Sequence, residues 1–370
     1  MYITYRYRVK SLEGLLRKQA QAVNYVWNYC NETQKSYLRL GKKWLNHFDL
    51  TKLTTGVSKE LGINSDTIGA ICKKYVLSRR QHKRPFLRWR TKKSLGWIPL
   101  RGRHLEQTPN GFKYGGKIFK VFLSRPIPPV AKICDGSSFS EDARGRWYIN
   151  LLLKLPDETV RPVQTAVGID LGLKDLAVLS NGEKVETPKF FRGLEEKLGK
   201  AQRAKKKRLE KSIHAKISNS RKDFLHKLST RIVKRFDWIA VGNVSSSKLA
   251  KTRMAKSVLD AGWSSFRSFL AYKALACGAT FMEVNESFST QVCSSCGCIP
   301  PESPKGIADL GIRNWTCGDC GAVHDRDVNS ANNILFGSGC RTPVEGTLIE
   351  NMKETSNPDL SKCEKVFTFK

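Results

Sequence analysis

The residue pattern predicts an α+β chain of several domains: a β-barrel interrupted by a helical segment, then an α/β domain carrying an insert built on four cysteines. Three observations predict it. The first ten residues alternate in the period of a strand, yet Ser11 to Gln81 reads as helix and short β runs return only at Arg84. From Ala166 onward, apolar strands are separated by long helical stretches. Two Cys-x-x-Cys pairs stand close together near the C-terminal end.

The chain has 370 residues, and 65 Lys+Arg against 33 Asp+Glu give a net charge of +32. That length suits two or three domains with their own cores, and 40% apolar residues exclude disorder by composition. No apolar run is long enough to span a bilayer, and Met1 to Lys10 lacks the apolar stretch of a secretory signal. A charge excess of this size repels itself and calls for a polyanion. An anionic membrane would favour a basic amphipathic helix or a lipid anchor, and neither is visible. Nucleic acid is the expected partner. On charge alone, a structural RNA binder of the ribosomal kind fits equally well.

In the first strand Tyr2, Thr4, Arg6 and Arg8 oppose Ile3, Tyr5, Tyr7 and Val9. Leu12, Leu15, Leu16, Ala20, Val23 and Trp27 then recur at helical spacing. Asn64-Ser65-Asp66 offers an N-cap to a helix through Ile68, Ile71, Tyr75 and Val76. Strands are expected at 87–90, 97–100, 112–114, 117–123 and 147–154, separated by Asn110-Gly111, Gly115-Gly116 and Arg144-Gly145. Basic and aromatic residues interleave there, a composition that suits phosphate contact with base stacking; a plain β surface with snorkelling Lys and Arg explains it equally well.

A linker at 155–163 leads into the second region. Residues 166–180 read as a hairpin, 237–241 as a third strand and 280–285 as a fourth, with Asp260-Ala-Gly-Trp263 opening a helix between them. Arg192 to Arg235 holds 16 Lys+Arg against four acids and reads as two solvated helices, 191–212 and 218–235.

Cys293-x2-Cys296 and Cys317-x2-Cys320 form two knuckles that can offer four thiolates to one tetrahedral zinc ion, a closed and therefore structural site. A redox pair would not need a duplicate. The remaining cysteines are scattered and read as small inert thiols. Asp170 ends an apolar strand in Val-Gly-Ile-Asp-Leu-Gly, and His324-Asp-Arg-Asp327-Val-Asn opens a helix just after the second knuckle. A carboxylate at a buried strand end is costly unless paired or bound to metal, so in a basic chain these acids suggest Mg2+ and phosphodiester chemistry. Singly, a helix cap at Asp325 and a core ion pair at Asp170 are the plainer readings.

Asp170 in its Gly-Ile-Asp-Leu-Gly setting, Lys222 to Leu228, Asp260-Ala-Gly-Trp263, the paired knuckles and His324 to Asn329 occur in an order that resembles the transposon-encoded TnpB family, related to Fanzor and the type V CRISPR effectors. The resemblance covers about residues 164–336; before 160 it extends only to layout. It implies a guide-RNA-directed DNA endonuclease cutting beside a short transposon-adjacent motif. It also implies a RuvC domain of the RNase H fold and an oligonucleotide-binding wedge barrel with inserted recognition helices. On that basis the wedge is expected at 1–10 and 84–160, the recognition helices at 11–83, the nuclease domain at 164–292 and 323–336, the zinc insert at 293–322 and a disordered tail at 337–370. The implied partners are guide RNA from the transposon end and double-stranded target DNA, with no membrane and a monomer on the RNA. The implied location is cytoplasmic, at the nucleoid when on DNA.

One position departs from the family. Where most members carry the middle catalytic Glu, the third strand here reads Ile239-Ala-Val-Gly242. Either cleavage is lost and the chain is an RNA-guided repressor, or a carboxylate has moved. Val284-Asn-Glu286 before the first knuckle resembles a subset in which a Glu there replaces the lost one, which makes Asp170, Glu286 and Asp327 the expected holders of two Mg2+ ions. Glu283 should face the other way. Asp325 is the expected auxiliary acid, Arg326 its partner or a phosphate contact, and His324 structural. Nucleic-acid contacts are expected at Arg88, Arg90, Lys113, Lys117, Arg203, Lys205, Lys206, Lys207, Arg208, Arg221, Lys222 and Lys227. An unguided transposase is disfavoured, because no Tyr nucleophile motif stands out.

Overall fold

The computed structural model describes residues 1–340 except 246–248, 250, 253, 306–308 and 310. It divides into two compact units, Met1–Pro156 and Asp157–Lys370, and the fold is α+β. Among the described residues no helix is long and apolar enough to cross a membrane.

In the first unit, β1 (Tyr2–Val9) is followed by α1 (Glu13–Arg39), α2 (His47–Leu53), α3 (Ser58–Leu61) and α4 (Ser65–Gln81). Then come β2 (Trp97–Pro99), β3 (Glu106–Thr108), β4 (Gly111–Tyr114), β5 (Lys117–Phe122), β6 (Lys132–Glu141) and β7 (Trp147–Lys154). These seven strands form one antiparallel sheet in the order β2-β6-β7-β1-β5-β4-β3. The end strands β2 and β3 have no pairing with one another among the described residues. Alternation works as physics requires in β7, where Trp147, Ile149, Leu151 and Leu153 are buried and their neighbours are not. The helices close the same core with Leu16, Val23, Val26, Ile71 and Tyr75, and Asn64 caps α4 through the Asp66 N–H. Leu12 does not join the α1 face: it sits before the helix with φ 59° and is exposed.

The longest strand, β6, lies outside the expected strands: its sequence is polar, and its Asp135-Gly136 lies within a bulge between Cys134 and Ser138. Gly136 takes φ 111° at that bulge, a backbone state open to glycine. Residues 87–90, expected as a strand, lie outside every sheet; side chains of α1 hold them instead.

The second unit contains β8 (Ala166–Asp170), β9 (Asp175–Leu179), β10 (Lys184–Glu186), α5 (Glu195–Arg203), α6 (Lys207–Arg235), β11 (Trp238–Gly242), α7 (Ala255–Ala261), α8 (Trp263–Ala276) and β12 (Thr280–Val284). After these come the hairpin β13 (Asn314–Thr316) and β14 (Val323–Asp325), then α9 (Arg326–Gly337). The five-stranded sheet runs β10-β9-β8-β11-β12, with β8, β11 and β12 parallel and β9 and β10 antiparallel to their neighbours. The basic helices break at 204–206, where Lys205 has φ 52°, and not near residue 215. Ile213 and Ile217, one turn apart on α6, pack on Leu198 and Ala201 of α5 and so continue the helix through the expected break. Gly262, at φ 71°, ends α7 and begins α8, so Asp260 closes one helix rather than opening the next. Of the expected tail 337–370, Gly337 completes α9 and residues 341–370 lie outside the described residues.

Candidate active site

Because β8, β11 and β12 are parallel, their carboxyl ends share one sheet edge, where open α/β sheets place their ligands. Asp170 ends the central strand β8, Gly242 ends β11, and Glu286 follows β12 by two residues. Asp327 comes from the first turn of α9, which packs directly across β8. That approach depends on Gly168, since a Cβ there would lie 1.9 Å from the Ala331 carbonyl oxygen. The result is one cavity of about 350 Å³ lined by Asp170, Glu286 and Asp327 together with Lys174, Arg313 and Arg326.

Gly242 is where the missing carboxylate would stand. A Cβ built on it would lie 2.7 Å from Glu286 Oε2, 3.1 Å from Ile334 Cδ1 and 3.5 Å from Glu286 Cβ. Glu286 therefore occupies the space that a side chain at 242 would need. Glu283 points away and lies 4.0 Å from Arg267, whose Nη1 also donates to the Val244 carbonyl at 3.1 Å.

Burial, then the negative charges of Asp327 and Glu286, raise the Asp170 carboxyl to about 7, against a hydrogen bond from Ser330 and the charge of Arg326 that pull it down. Burial likewise raises Glu286, opposed by Arg267. An all-oxygen set of carboxylates that repel one another on a cavity wall suits a hard divalent cation such as Mg2+. Asp327 differs from the other two, since its Oδ2 accepts from Arg313 Nη1 at 2.7 Å and its Oδ1 from Arg326 Nε at 3.1 Å. Arg326 thus pairs with Asp327.

Asp325 caps α9, accepting from the Asp327 and Val328 N–H groups at 3.1 Å, and pairs with Lys184 at 2.5 Å. Burial pushes its carboxyl up, but the Lys184 and backbone hydrogen bonds carry it below the usual range. Ser330, Arg313 and Lys184 were not legible as site residues. Ser330 lies one turn after Asp327, which is a signal of sorts, whereas nothing local marks the other two.

The sulfurs of Cys293, Cys296, Cys317 and Cys320 lie within 4.8 Å of one another, a set that fits a tetrahedral zinc ion. His324 Nε2 is 3.0 Å from Cys293 Sγ, its ring against Trp315, and burial holds its pKa below the usual value. A neutral imidazole in that position suits an outer partner of the cluster. Helix α9 carries Asp327 and also grips the first knuckle: Asn329 and Asn333 each donate to the Val292 carbonyl at 2.7 Å, and Ser294 N–H donates to Asn329.

The expected nucleic-acid contacts divide. Arg88, Lys117, Arg203, Lys205, Lys206, Lys207, Arg208 and Lys222 are exposed. Lys113 and Lys227 are exposed but pair with Glu106 and Asp223. Arg90 and Arg221 serve the protein itself: Arg90 bonds Asn24 and the Leu95 carbonyl, and Arg221 bonds the Leu259 carbonyl at the end of α7.

Comparison with known proteins finds two family models and several relatives. Residues 150–253 match the IS605 OrfB family model described as "Probable transposase", and residues 263–334 match the "Cas12f1-like, TNB domain". A protein of Streptomyces pristinaespiralis, provisionally named an RNA-guided DNA endonuclease, is 36% identical over 65% of this chain and 61% of its own. A provisionally named RNA-guided DNA endonuclease of Escherichia coli is 31% identical over 61% of this chain and 64% of its own. The CRISPR-associated endodeoxyribonuclease Cas12f1 of Sulfoacidibacillus thermotolerans is 22% identical over 59% and 56%. The chain spans less than two thirds of the length of each of these relatives.

Proposed function

We propose that this chain is a member of the TnpB family and an RNA-guided endonuclease that cuts double-stranded DNA beside a short transposon-adjacent motif. One observation carries the reading: three carboxylates from separate elements line a single cavity at the carboxyl edge of a sheet, inside a chain of charge +32. The strand order β10-β9-β8-β11-β12, three antiparallel strands and then two parallel ones, supports a RuvC-like nuclease domain over 164–292 and 323–336. The insert over 293–322 holds zinc, residues 1–10 and 84–160 form the wedge, and residues 11–83 form the recognition helices.

Asp170, Glu286 and Asp327 would hold two Mg2+ ions, which supply an activated water and charge stabilisation at the leaving oxygen. The protein contributes placement. The Gly168 contact sets α9 over β8, Ser330 orients Asp170, and Arg313 with Arg326 fix Asp327. Lys174, Arg313 and Arg326 place positive charge on the cavity wall, where a phosphodiester would sit. Sequence is read by pairing with the guide, while the exposed lysines of α5 and α6 contact the heteroduplex backbone. RNA that copurifies with the protein and, when reprogrammed, redirects its DNA binding tests the guided reading. Binding that is indifferent to the RNA contradicts it.

Two predictions belong to the metal sites. Asp170 binds its proton more tightly in the folded chain than in the unfolded one. Without divalent ions, stability should therefore fall as pH rises from about 4 toward 7. Asp170→Asn removes the Asp170 share of that fall and leaves the share of Glu286. In EDTA at pH 8 the variant should melt above the parent chain, with the gap closing as pH is lowered, and Mg2+ should raise the melting temperature of the parent only. For the knuckles, elemental analysis should find about one zinc per chain, and Cys317→Ser should lose most of it with the local fold, as structural zinc is worth roughly 10–16 kcal/mol to the segment it orders.

A further inference from the structure

Between residues 79 and 93 the first unit carries eight Lys and Arg and no Asp or Glu. The backbone of this stretch is held by one stripe of α1. Asn31 donates to the Leu87 carbonyl and accepts from the Leu87 N–H, both at 2.8 Å. Asn28 makes the same double contact with Arg90, at 2.7 and 2.8 Å. Trp27 Nε1 donates to the Arg88 carbonyl at 3.2 Å and Asn24 to the Thr91 carbonyl at 3.4 Å. Positions 24, 27, 28 and 31 share a helix face, so their side chains imitate the ladder of a neighbouring strand along the segment. The far end is closed by Arg90 on the Leu95 carbonyl and by Ser94 Oγ accepting from Thr91 N–H. Leu87 and Arg90 turn inward, whereas Phe86 and Trp89 remain 47% and 46% exposed beside exposed Arg88.

The geometry points to residues 86–93 as a prearranged strap that stacks an unpaired nucleobase on Trp89 and places Arg88 on the adjoining phosphate. The ligand class is a single nucleic-acid strand, because a paired base does not offer its face to a ring. The exposed cations of this acid-free run supply the charge complement, whereas Arg79 and Arg90 bond within the protein; an aromatic ring adds what a phosphate contact does not need. The backbone order is already present, so the strand gains stacking without the cost of ordering a loop. Asn28 acts as a positioning residue for this contact.

The test measures binding of the full chain, without guide, to oligo(U) and oligo(dT) of about 12 nucleotides, a length within single-strand site sizes. Blunt duplex and polyglutamate serve as controls. Trp89→Ala should weaken single-strand binding by about five- to 150-fold, the range one stacked base supplies, with the salt slope unchanged. Arg88→Ala should reduce that slope by about 0.7. Asn28→Ala should weaken single-strand binding with the slope intact, although it removes neither ring nor charge. Thermal melting within a few degrees of the parent excludes a folding defect in Trp89→Ala, as the ring is half outside the core. A larger loss on oligo(U) identifies RNA as the occupant, and a larger loss on oligo(dT) identifies displaced DNA. Binding by Trp89→Ala within twofold of the parent, or an equal loss toward duplex or polyglutamate, overturns the proposal. Since no cutting is measured, failure here is separable from failure of the nuclease reading.

Discussion

Asp170→Ala and Glu286→Ala should each reduce guided DNA cleavage by at least about a hundredfold while leaving guide and target binding within a few-fold. Even outer partners of a metal cost about 10–100-fold when removed, and both residues are argued to be direct ligands. The split between cleavage and binding follows from their position. Both carboxylates line the cavity at the sheet edge, whereas the exposed cations expected to contact nucleic acid include Lys205, Lys206, Lys207 and Arg208, between and at the start of α5 and α6. Neither substitution should unfold the chain. Burial raises both carboxyls, and in Asp170 the neighbouring negative charges add to it, so their removal relieves strain in the metal-free state. Cleavage and gel-shift assays on the same preparations give both quantities. Loss of cutting in Asp170→Ala but not in Glu286→Ala would show that the third carboxylate comes from elsewhere.

Gly242 supplies the second large effect. Gly242→Ala introduces a Cβ 2.7 Å from Glu286 Oε2, so the carboxylate must swing away. A displacement of about 1 Å in a catalytic group can cost on the order of a hundredfold, and cleavage by Gly242→Ala should fall by about ten- to a hundredfold. Stability should change little, because the clash is with the end of a flexible side chain. The exchange Gly242→Glu with Glu286→Ala should recover cleavage relative to Glu286→Ala alone, as it returns a carboxylate to the same edge. Full activity in Gly242→Ala would mean that Glu286 is not held where the metals bind.

Much of this site was legible from residues. The knuckles declare themselves by spacing, and Asp170 by standing at the end of an apolar strand bounded by glycines. The alternation in β7 and the helical spacing in α4 identify their cores because a single buried face decides each. Elements whose partner is chosen by tertiary contact were not legible. β6 is polar and carries Asp-Gly, a pair that serves a turn or a bulge depending on the neighbouring strand. Residues 87–90 alternate like a strand, and only the structure shows that their ladder is made of asparagine side chains. The α5–α6 break falls at Lys205 without Gly or Pro, because Ile213 and Ile217 have a partner in α5. The relation of Glu286 to Gly242 joins residues 44 positions apart, and the parallel pairing of β11 with β12 creates it. Arg313 and Lys184 reach Asp327 and Asp325 from distant elements, with no local pattern to announce them.

The most direct test is cleavage of a plasmid library by the purified protein–RNA complex with Mg2+, the guide-matched target standing beside randomised flanks. Cutting is expected to be confined to one flanking motif and abolished by EDTA and by Asp170→Ala and Glu286→Ala alike. Guide-dependent binding with no cutting by the unmutated chain would contradict it and leave an RNA-guided repressor.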